Sequence, residues 1–151
     1  MKTIVTLIDF SDVTPQLLEQ SRQMAGAFQA KVILVHTVPA EAVVMELGLL
    51  SPTVMQAASE KRIEGDYNKL LDVRDSLAAA GVDVTAEQLE DPNVEKVMQL
   101  SQQLHADLII VGSHHHSSLY QLLMGTYTSD VLQRASCPVL VVPAVVAAAK
   151  G

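Results

Sequence analysis

The side chains best suited to meeting a ligand gather in three short segments, Asp9-Phe10-Ser11-Asp12, His36-Thr37-Val38 and Gly112-Ser113-His114-His115-His116-Ser117-Ser118. Each follows an apolar run. A carboxylate such as Asp9 can accept hydrogen bonds from a ligand amine or a ribose, and it can equally cap a following helix. Gly112 permits close backbone approach to phosphate oxygens, and the hydroxyls of Ser113, Ser117, Ser118, Thr126 and Thr128 can donate to them, although Ser/Thr-rich loops are also ordinary turns. The triplet His114-His115-His116 does not read as a metal site, because consecutive loop residues point in different directions and seldom close on one ion. His36, within an apolar strand, reads as a core histidine with its hydrogen bonds satisfied, and His105 closes a helix where a cation suits the dipole. Cys137, just before Pro138, reads as a small buried hydrophobe. Neither a Ser-His-acid order nor GxxxxGK[ST] is present, so fast hydrolysis is not expected. No lysine or arginine lies between Lys96 and Arg134, which leaves backbone donors, hydroxyls and Mg²⁺ to neutralise a phosphate there.

These segments are positioned by short apolar runs alternating with stretches of helical periodicity, the pattern of βαβ units around a parallel sheet. Five runs predict strands: Thr3 to Ile8, Lys31 to Val38, Val82 to Leu89, Leu108 to Val111 and Pro138 to Val142. They are rich in Val, Ile and Leu, as strands covered on both faces require, and the third alternates more, which places it nearer an edge. Leu17, Ser21, Met24 and Phe28 predict a first helix with Ser11 or Thr14 as N-cap and Pro15 in its first turn. A second, the longest, begins near Ser51-Pro52 and carries Ile63, Tyr67, Leu70, Leu71, Arg74 and Leu77 before Gly81 stops it. Val94, Val97, Met98, Ser101 and Leu104 mark a third, and Leu119, Leu122, Leu123, Tyr127 and Val131 a fourth region interrupted at Gly125. Right-handed crossovers then give an open five-stranded parallel sheet with helices on both faces. Ligands bind outside the carboxyl ends of such strands, where strand order reverses.

Composition narrows the function classes. The 151 residues suffice for one domain, and 49% hydrophobic against 18% charged residues excludes a disordered chain. A net charge of −7 repels a phosphate backbone or an anionic membrane, and five aromatics without Trp offer little for stacking bases, so neither nucleic acid nor membrane is an expected partner. A single cysteine excludes an intramolecular disulfide framework and fits reducing cytosol. The N-terminal apolar run is too short for a signal peptide, and no stretch approaches the roughly 20 apolar residues of a membrane helix. A single domain over 1–143 with a short tail over 144–151 is expected, in the cytoplasm.

The segment from Val111-Gly112-Ser113-His114 through Leu122-Leu123-Met124-Gly125-Thr126 and Val131-Leu132 to Cys137-Pro138-Val139-Leu140-Val141-Val142 closely resembles the C-terminal signature of the universal stress protein family. Ile4 to Asp9-Phe10-Ser11 and Val35-His36-Thr37-Val38 are similar to that family's first two strands. The resemblance covers essentially the whole chain. It implies a flavodoxin-like fold, akin to the adenine-nucleotide alpha-hydrolases, with strand order 3-2-1-4-5, which dimerises and in one branch binds ATP. That branch carries glycine, two residues, glycine, nine residues and Gly-Ser or Gly-Thr; Gly112, His115 and Gly125-Thr126 stand at these positions here. Position by position, the resemblance implies Ile8, Asp9 and Thr37 around adenine and ribose, Val111 and Gly112 beside them, and Gly125, Thr126, Tyr127 and Thr128 at the phosphates.

The chain departs from the pattern at His115, at Glu90 and at Ser117 or Ser118, where family members often carry glycine. A β-carbon where the loop needs left-handed or bare backbone costs about 1 to 2 kcal/mol, a weakening of binding and not a veto. Histidine tolerates left-handed geometry better than most residues and can itself donate to a phosphate. The leading expectation is a non-enzymatic regulatory dimer, paired through Pro138 to Val142, that holds ATP or AMP between the first and fourth strands. The alternatives are a dimeric interaction module that binds no nucleotide and a slow ATPase.

Overall fold

The computed structural model describes residues 1–37, 52–89, 94–113 and 129–143. Its strands are β1 (Thr3–Ile8), β2 (Lys31–Thr37), β3 (Val84–Leu89), β4 (Leu108–Ser113) and β5 (Val139–Pro143). Its helices are α1 (Thr14–Phe28), α2 (Pro52–Ala79) and α3 (Val94–Gln103), and residues 129–134 are also helical. The sheet runs β3-β2-β1-β4-β5 with every pairing parallel, as expected from the sequence. β3 lies at an edge, and its alternation of half-buried and exposed residues is the pattern that suggested so.

Alternation along the central strands divides the core in two. Ile4, Ile8, Val32, Leu34, Leu108 and Ile110 pack beneath α1 and α2, through Leu17 and Ala25 of the first helix and Leu70 and Leu77 of the second. Val5, Leu7, Ile33, Val35, Ile109 and Val111 face Val97 and Met98 of α3 and Val131. Every residue of β1 is buried, which is why that strand carries no charge. Thr6 is tolerated there because its hydroxyl lies 2.7 Å from that of Ser21, which in turn donates to the Leu17 carbonyl at 2.7 Å. With the Ser21 proton committed, Thr6 is the donor between the two hydroxyls.

Several local readings need correction. The N-cap of α1 is Val13, with no side-chain cap, rather than Ser11 or Thr14. Val13 is fully buried, so packing chose an apolar residue where capping alone favours a polar one. Phe28 and Tyr67, predicted on inward faces, are 49% and 42% exposed. The inward stripe of α2 is instead Ile63, Asp66, Leu70, Val73 and Leu77, spaced by three and four, with an acid at one apolar position. β3 begins at Val84 and not Val82, whose N–H bonds the Leu77 carbonyl as α2 closes at Gly81 (φ 89°). β4 continues through Gly112 and Ser113, which the sequence placed in the loop, because both pair with β5. β5 begins at Val139, one residue later than expected, and ends at Pro143. α3 ends at Gln103, so Leu104 lies in the closing turn, and His105 adopts a left-handed φ of 54° just beyond it. Val38, Glu90 and the predicted tail 144–151 lie outside the described residues.

Candidate functional site

β1, β2 and β4 all point their carboxyl ends to one edge of the sheet. Chain order runs outward from β1 through β2 to β3 on one side and through β4 to β5 on the other, so strand order reverses between β1 and β4. Ile8, Asp9, Thr37, Val111 and Gly112 are brought to that edge by this topology. Of the predicted site, His115, Gly125, Thr126, Tyr127 and Thr128 lie outside the described residues, as do His114, His116, Ser117 and Ser118.

Asp9 directly follows β1 and is exposed, and its Oδ1 accepts the backbone N–H of Ser11 at 3.1 Å. The carboxylate thus shapes the loop entering α1. Ile8 is buried among the residues beneath α1 and α2, whereas the Val111 side chain packs on the opposite core. Only their backbones therefore share the edge. Gly112 has a packing reason to be glycine: a Cβ there would stand 2.6 Å from Cγ1 of Val13. The Val13 side chain, at the N-cap of α1, thus packs close against the β4 backbone at Gly112.

Two further residues join this edge, Phe10, which lies in a candidate segment but had no role of its own, and Asp66, which the sequence did not single out. Phe10 takes a φ of 57°, unusual for a residue with a bulky side chain. Its ring lies 4.6 Å from that of His36 at an interplanar angle of 54°, and the Lys69 ammonium is 5.9 Å from its centroid. Asp66 reaches the same place from α2, its Oδ2 3.5 Å from Nε2 of His36. The available signal was an acid at an apolar position of the α2 stripe. His36 is buried as expected, but only Nδ1 is satisfied, at 2.8 Å from the Ile8 carbonyl; Nε2 is buried without a hydrogen bond. The approach to Asp66 is an ion-pair separation that does not meet hydrogen-bond geometry.

Cys137 is half-buried against the core beneath α3. Burial, and then the charge of Asp107, push its thiol upward, which keeps it protonated and unreactive. Among the described residues no group of three or more His, Cys, Asp or Glu side chains can hold a metal ion, and no helix is long and apolar enough to cross a membrane.

Known proteins share both the sequence and this architecture. The chain is 29% identical over 141 residues to universal stress protein MJ0531 of Methanocaldococcus jannaschii, covering 93% of this chain and 81% of that one. The solved structure of MJ0577, from the same organism, superposes with a TM-score of 0.76 at 24% identity, covering 97% and 98% of the two chains. A universal stress protein solved in complex with cAMP superposes with a TM-score of 0.67 at 23% identity, covering 95% and 98%. The family model for universal stress proteins matches residues 1–143, from the start of the sheet through its last strand, and the chain belongs to that family.

Proposed function

We propose that this universal stress protein is a regulatory protein that binds an adenine nucleotide, ATP or AMP, at the carboxyl ends of β1 and β4. The observation that carries the reading is the reversal of strand order between those strands with Asp9 at its mouth, in a chain whose relative of like fold was solved with cAMP. Asp9 offers acceptors to ribose hydroxyls or to the adenine amine, and backbone groups near Ile8, Thr37 and Val111 flank the base. Gly125, Thr126, Tyr127 and Thr128 take the phosphates, with Mg²⁺ supplying the positive charge that the sequence lacks between Lys96 and Arg134. The nucleotide is a ligand and hydrolysis is at most slow, a reading supported by the lack of a Ser-His-acid order and of GxxxxGK[ST] in the sequence. The protein works in the cytoplasm as a homodimer paired through β5.

A second reading, a dimeric interaction module without nucleotide, is favoured by His115 in place of the motif's middle glycine and by the packing that alone accounts for Gly112. Titration with a fluorescent adenine nucleotide separates the two. Saturable binding displaced by ATP supports the first, and a flat titration supports the second.

A further inference from the structure

His36 is 3% exposed, near the carboxyl end of β2. Its Nδ1 lies 2.8 Å from the Ile8 carbonyl oxygen, which can only accept, so Nδ1 carries a proton. In the neutral ring Nε2 is then a lone pair. That nitrogen is buried, makes no hydrogen bond and faces Oδ2 of Asp66 at 3.5 Å. Two acceptors opposed across a water-poor gap repel, whereas a proton on Nε2 turns the same arrangement into a charge-assisted donor and acceptor. The Asp66 carboxylate is itself largely withdrawn from water, at 15% exposure, because α2 presents it within the Ile63, Leu70, Val73 and Leu77 stripe.

We propose that His36 and Asp66 form a proton-operated clasp: with Nε2 protonated, α2 is tied to the carboxyl ends of β1 and β2, and loss of that proton releases the tie. Among the described residues, the charged groups around it come from three elements. On α2, Arg62 Nε and Lys69 Nζ each lie 4.0 Å from an oxygen of Asp66, drawing on its charge and opposing the imidazolium. On the loop after β1, Phe10 covers the ring and Asp9 is exposed. On β3, Gln88 pairs in register with His36, donates to the Ile63 carbonyl at 3.1 Å and keeps a buried Oε1 without a partner, while Glu87 is exposed. Through the Ile8 carbonyl and Phe10 the clasp acts on the loop that carries Asp9. The inference does not depend on nucleotide binding.

Long-range ¹H–¹⁵N NMR of the His36 ring in the full chain tests it directly. The expected result is a proton on Nδ1 throughout and a proton gained on Nε2 as pH falls, with that gain displaced to lower pH in Asp66→Asn. A neutral ring protonated on Nε2, or a titration indifferent to Asp66→Asn, overturns the clasp. A double-mutant cycle with Asp66→Asn and His36→Asn, which keeps a donor for Ile8, gives an independent readout. Favourable coupling of about tenfold in the unfolding equilibrium is expected at the acid end of the NMR titration, vanishing or turning unfavourable at its alkaline end; coupling that is absent or unchanged with pH overturns it.

Discussion

Gly112 shows how one residue can be chosen twice. As the first glycine of a phosphate motif it stands for close backbone approach, yet in the fold the missing Cβ is the space taken by Val13 at 2.6 Å. Gly112→Ala is therefore expected to destabilise the chain by about 1–3 kcal/mol through overpacking against a β-branched neighbour with little rotamer freedom. Val13→Ala in the same chain should recover part of that loss, as measured by urea unfolding. Equal loss with and without Val13→Ala would show that the Val13 contact is not the constraint. At this scale Ile8, Asp9 and Thr37 stand at or just beyond strand ends, as the end of an apolar run is a local fact, whereas Val111 and Gly112 lie within β4 and not at its end. Asp66 and Phe10 were not readable that way. An acid on a helix and an aromatic in a loop carry no local mark of the distant His36 that they meet.

At the scale of elements, the opposite end of the sheet is fastened by one carboxylate. Oδ2 of Asp107, just before β4, accepts the backbone N–H groups of Lys2 at 2.8 Å and Thr3 at 2.9 Å, clipping the start of β1 to β4. Those two bonds hold its carboxyl below the usual aspartate range. A carboxylate lowered in the folded state stabilises above its unfolded pKa of about 3.9, and the contribution is lost as pH falls through the folded value. Asp107→Ala is accordingly expected to be less stable than the parent at pH 7, with the gap closing on acidification; a gap constant from pH 7 to pH 2.5 would contradict the clip. Periodicity identified α1, α2 and α3 from sequence because each buries an apolar stripe. Their ends were less readable: the cap of α1 was settled by burial of Val13, and the continuation of β4 through Ser113 by pairing with β5, both set by distant parts of the chain.

For the whole molecule, the alternation of apolar runs and helical stretches was enough to define a parallel sheet with helices on both faces, since few topologies bury such runs on both sides. The order β3-β2-β1-β4-β5 leaves β5 at an edge with Val139, Leu140 and Val141 only partly covered. An apolar edge strand invites pairing with another chain, and the proposed dimer uses it. Val141→Asp should convert the dimer to a folded monomer by light scattering with unchanged circular dichroism, whereas a stable dimer in that variant would move the interface elsewhere. The central claim, an adenine nucleotide held at the reversal of strand order, is tested most directly by equilibrium dialysis of the protein against labelled ATP with Mg²⁺. Bound nucleotide should saturate near one per chain and be displaced by unlabelled ATP; no bound ATP above the protein-free compartment at millimolar concentration would contradict it.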